Sequence, residues 1–126
     1  MRLMKATFWA AAVMTLVGAY IFAFPDTALG RHYKMPTAVP ALYSGLVGWV
    51  LVVFGCMYAW MACQSRIVRP LLYVGAFGKG GAFLLGLGLW LSDQMPIDIV
   101  MMLSGDAVLA AIWFGYLLRT GRTSSP

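Results

Sequence analysis

Residues 71–91 read LLYVGAFGKGGAFLLGLGLWL. The stretch is apolar and long enough to cross a bilayer, which takes about 20 helical residues. Yet Lys79 stands close to its middle, among Gly75, Gly78, Gly80, Gly81, Gly86 and Gly88. A charge in the middle of a span is costly, and it marks the place where the chain has something to satisfy.

The rest of the chain reads outward from there. Three more apolar runs occupy about residues 6–24, 41–63 and 97–118. Their length suits helices that span lipid, not barrel strands, which need about 10 residues of alternating character. The run at 6–24 follows Arg2 and Lys5. It exceeds the 7–15 residues of a signal-peptide core, so it reads as a first span. The run at 41–63 has small residues four apart (Ala41/Gly45, Ser44/Gly48, Gly55/Ala59), a spacing that lets helices approach closely in lipid. Pro70 suits a helix start, where its missing N–H costs nothing. Residues 92–96, SDQMP, make a tight turn. The sequence predicts an all-α chain, one transmembrane domain over residues 1–126, with four transmembrane helices in an antiparallel bundle. Residues 25–40 form its outer loop, and residues 119–126 a polar cytoplasmic tail with no assigned structure.

Composition agrees. Hydrophobic residues make up 62% and charged residues 10% of 126, against about 45–50% and 25% in soluble domains. A soluble core of this size could not hide so much apolar surface. The net charge of +5 sits at segment ends, which points to orientation and anionic headgroups and not to nucleic acid. Arg2, Lys5, Arg66, Arg69, Arg119 and Arg122 fall on one side of a four-span topology. Asp26, Asp93 and Asp98 fall on the other, with Arg31 and Lys34. The positive-inside rule then puts both termini in the cytoplasm. Trp9, Tyr20, Tyr43, Trp60, Tyr73, Trp90 and Tyr116 suit interfacial anchors; Trp49 and Trp113 lie deeper and are expected to pack between helices.

The candidate site is an intramembrane charge pair, Lys79 with Asp106. Each lies roughly 12–13 Å into its span, and the short turn between the spans makes them antiparallel neighbours. Their Cα atoms would differ in depth by about one turn, which a lysine can cover. Helix side chains lean toward their own N-termini, however, and here that tilts the groups apart. Gly78 and Gly80 could let a neighbouring helix shield the charge. Ser104 could bond its own backbone or the ammonium, and Trp113 follows on the same span. Two roles stand open: a clamp that fixes helix register, or a proton or ion relay.

Other signals are slight. GAFGKGG lacks the spacing and the Ser or Thr of a phosphate loop. Arg31, His32 and Lys34 form an outer-loop group suited to anionic contact. A single histidine cannot build a zinc site, and no metal or cofactor is expected. Cys56 and Cys63 would face one side of a helix roughly 10 Å apart, too far to pair with each other. There is no Glu, and Ser44 and Ser104 are isolated, so an enzyme working alone is not expected.

The basic turn ending in Pro70, Gly78-Lys79 in the third span, then Gly105-Asp106 with Trp113 and Phe114 in the fourth, resembles the small four-helix DoxX-like membrane proteins of bacteria over about residues 64–118. Lys79, Asp106 and Trp113 carry that resemblance. Gln64 and Ser65 stand where such proteins commonly have an acidic residue. The resemblance implies a four-helix bundle in the bacterial inner (plasma) membrane and a role beside partner proteins. The expected function is therefore a non-enzymatic membrane subunit or accessory partner in a larger assembly. It would meet a protein partner, or copies of itself, through glycine-rich helix faces. The alternative is a small oligomeric transporter or channel that uses Lys79 and Asp106.

Overall fold

The computed structural model describes the backbone of residues 2–123 and the side chains of residues 2–120. The described chain is all-helical, 81% helix with no strand. In order it forms α1 (Arg2–Ala23), α2 (Ala28–His32), α3 (Ala41–Ala62), α4 (Arg69–Leu91) and α5 (Ile97–Thr123). Of these, α1, α3, α4 and α5 are long and apolar enough to cross a membrane. Large apolar side chains such as Val13, Leu42, Leu85 and Val108 are exposed on them. Helix continues through residues 119–123; Met1 and residues 124–126 lie outside the described residues, as does the side chain of Arg122.

The chain divides into two compact units, Met1–Cys63 and Gln64–Pro126. In the first, α3 lies on α1 through small residues. A Cβ added to Gly48 would come 2.8 Å from the Ala23 Cβ, and one added to Gly55 would come 2.8 Å from Leu16. Those distances are too short for any side chain, so glycine sets how closely the two helices pack. Gly45 differs: its Cβ would meet nothing within 4 Å. Trp49 is 65% exposed, which corrects its expected place between helices. Depth along the helix suggested full packing, but Trp49 lies about 100° round the helix from Gly48, at the open edge of the face that meets α1.

The connection at 25–40 holds the short helix α2, where the sequence suggested only loop. Gly30 permits it, because a Cβ there would fall 2.2 Å from the Pro25 carbonyl oxygen. α2 ends with the Lys34 N–H donating to the Arg31 carbonyl (3.1 Å) and the Met35 N–H to the Gly30 carbonyl (3.0 Å). That is a Schellman ending with Lys34 in the left-handed position (φ 55°), a place usually held by glycine.

In the second unit α4 lies on α5. Pro70 stands in the first turn of α4. At its other end Asp93 N–H donates to the Trp90 carbonyl (3.0 Å) and Gln94 N–H to the Leu89 carbonyl (2.8 Å). This is a second Schellman ending, with Asp93 at φ 60°. Asp98 occupies the first turn of α5, where a carboxylate favours the helix dipole.

Candidate functional site: the Lys79–Asp106 pair

The site is held by the packing of α4 on α5. A Cβ at Gly86 would come 2.6 Å from Leu103 Cδ1, and one at Gly80 would lie 3.7 Å from the Ala110 Cβ and 3.8 Å from Phe114. Phe77 meets the edge of Phe114 with ring centroids 5.1 Å apart. Numbers thus rise along α4 as they fall along α5. This register puts Lys79 near the level of Ala110, about one helical turn from Asp106. The four-methylene stem of the lysine covers that turn. Lys79 Nζ donates to Asp106 Oδ1 at 2.8 Å. The backward lean of helix side chains therefore does not keep the two groups apart.

Burial makes the contact consequential. The Lys79 side chain is 6% exposed and that of Asp106 19%. A short contact between ionised groups is a charge-assisted hydrogen bond, stronger than a neutral one. A lone charge at the centre of a bilayer costs about 2.5–3.5 kcal/mol on insertion scales. The pair answers that cost for both partners. Among the described residues no buried side-chain nitrogen or oxygen lacks a hydrogen-bond partner.

The supporting residues divide. Gly80 faces α5, as does Gly86. Gly78 does not: it is exposed, and its Cβ would meet nothing within 4 Å, like those of Gly81 and Gly88. Ser104 donates to the Met101 carbonyl at 2.6 Å, so its own helix takes the hydroxyl. Trp113 is wholly buried, at 0% exposure. The outer-loop group lies at the end of α2. Arg31 stands 3.8 Å from Asp26, His32 meets Tyr33 edge-on at 4.9 Å, and Lys34 takes the left-handed turn.

A second tie between the two helices was not visible in the sequence. Arg69 Nη1 donates to Thr120 Oγ1, and Nη2 to the Leu117 carbonyl at 3.2 Å. Arg69 read only as one of the orienting charges. The fork geometry of a guanidinium, which can hold two acceptors at once, is the one property that hinted at more. Among the described residues no three His, Cys, Asp or Glu side chains cluster as metal ligands, and Cys56 and Cys63 are free thiols.

Chemically, the pair can fix one register of α4 on α5, or exchange a proton between a base and an acid that touch. No family model, no curated protein and no solved structure matches this chain.

Proposed function

We propose that this chain is a four-span protein of the bacterial inner membrane, with both termini in the cytoplasm and neighbouring spans antiparallel, which serves as a subunit or accessory partner of a larger membrane assembly. One observation carries the reading. Gly78, Gly81 and Gly88 share an exposed face of α4 with Val74, Phe77, Leu84 and Leu85, and nothing lies within 4 Å of where their Cβ atoms would be. Glycine in a helix interior weakens it by roughly 1 kcal/mol relative to alanine. In lipid, that loss is offset where small residues let another helix come close. Gly80 and Gly86 already face α5 and Gly75 is buried; Gly78, Gly81 and Gly88 are open to a further helix. Within this reading Lys79 and Asp106 clamp the α4–α5 pair that presents the face. The resemblance to DoxX-like proteins points the same way.

The test is isolation of the tagged chain from its native membrane in mild detergent, beside the variant Gly78→Leu/Gly81→Leu. A stoichiometric protein partner that the variant loses supports the proposal. A chain recovered alone from both preparations sinks it.

A second reading has its own support. Asp106 keeps a fifth of its side-chain surface exposed beside a buried lysine, and ionisable groups inside a span commonly mark ion or proton pathways. In that case Asp106→Asn abolishes flux in proteoliposomes while the helical content stays unchanged.

A further inference from the structure

α1 and α3 do not close along their whole length. Gly48 and Gly55 draw them together, but at Gly45 the space stays open. There a groove of about 360 Å³ runs between them, walled by Tyr20, Phe24 and Trp49 with Leu16 and Val52. That is the small end of the range of ligand clefts, about 300–1,000 Å³. Its walls are apolar and aromatic, with the Tyr20 and Phe24 rings tilted at 5.7 Å between centroids.

A cation, Arg31, is tied to Asp26, two residues beyond the Phe24 wall of this groove. Beyond Phe24 the chain turns back at once. The Phe24 carbonyl accepts both the N–H (3.3 Å) and the hydroxyl (2.8 Å) of Thr27. Gly30 lies against Pro25. The Arg31 guanidinium consequently stands 3.8 Å from the carboxylate of Asp26, two residues past the groove wall. That separation is longer than a hydrogen bond. Both side chains are well exposed, at 66% and 87%, so the guanidinium keeps donors to offer a second acceptor.

We propose that the groove and Arg31 together form a site for one anionic phospholipid, an acyl chain lying on Tyr20, Phe24 and Trp49 and the phosphate meeting Arg31, with His32 beside it. The inference rests on the membrane placement proposed above. An apolar trough with a cation a few residues beyond its Phe24 wall matches an amphiphile with one anionic head. Guanidinium and phosphate match in fork geometry as well as in charge. An uncharged helix laid in the groove would supply no anion for Arg31.

The test uses native mass spectrometry of the full chain in mild detergent, titrated with dioleoyl phosphatidylglycerol or dioleoyl phosphatidylcholine. Wild type is expected to hold one phosphatidylglycerol roughly tenfold more tightly than phosphatidylcholine. Arg31→Gln should bring the two lipids level. Gly45→Leu fills the groove from a position with free space and should release the tight lipid of either kind. Trp49→Ala, which removes a wall, should weaken it too and stands in should Gly45→Leu lose helical content. Equal affinities in wild type overturn the site. So does a headgroup preference that survives both groove variants, or a dimer that they dissociate, which would make the occupant a second copy. Binding of neither lipid, with a chain that stays out of the membrane fraction, overturns the membrane placement itself.

Discussion

Lys79 and Asp106 matter because each would be a liability without the other. Removing one partner of a buried pair strands a charge and costs about 3–5 kcal/mol, whereas replacing both with apolar residues is often neutral or stabilising. If the pair is a clamp, Lys79→Met and Asp106→Leu should each lower resistance to detergent unfolding by about that amount, and the double variant should recover most of it. Chemical denaturation of the three variants in micelles checks this; a double variant as weak as the worse single one would contradict it. The residues of the pair were legible because a charge in an apolar run cannot be overlooked. Its closure at 2.8 Å was not, since it depends on the register of α4 on α5, which Gly86 and Leu103 set. Trp49 shows the same limit from the other side: the face a residue occupies decides its burial, and its depth does not.

Among the elements, the long helices could be read from apolar run length alone. Helix α2 could not: five residues are too few to show a period, and no side chain caps its start. Both Schellman endings escaped notice because Lys34 and Asp93, not glycine, hold the left-handed positions. That conformation costs a residue with a Cβ roughly 1–2 kcal/mol, and a little less for Asp, which tolerates it better. Asp93→Gly is therefore expected to raise stability by up to about 1 kcal/mol, read as a higher melting temperature; a lower one would show that the carboxylate is needed. The glycines of α3 and α4 make a paired prediction. Gly48→Ala, 2.8 Å from Ala23, should cost about 1–3 kcal/mol through overpacking. Gly78→Ala enters free space and should add up to about 1 kcal/mol to the isolated chain, while weakening any assembly that uses that face. Melting curves of the two purified variants, which should shift in opposite directions, check the pair.

At the scale of the whole molecule, four apolar helices and exposed side chains such as Trp49, Phe77, Leu85 and Leu118 need a solvent other than water. Four helices long and apolar enough to cross a membrane make lipid the fitting one. Hydropathy and charge placement carried the four spans and the proposed orientation, because both follow from transfer energies that each residue contributes on its own. Function did not follow: on the reading proposed above it depends on what meets the open face of α4, and no residue of this chain records that. The central claim, that the face receives a partner, is met most directly by isolating the tagged chain from its native membrane, as wild type and as Gly78→Leu/Gly81→Leu, and identifying by mass spectrometry what each retains. A protein partner held in fixed ratio by wild type and released by the variant is the predicted result. The same chain recovered alone in both would contradict it.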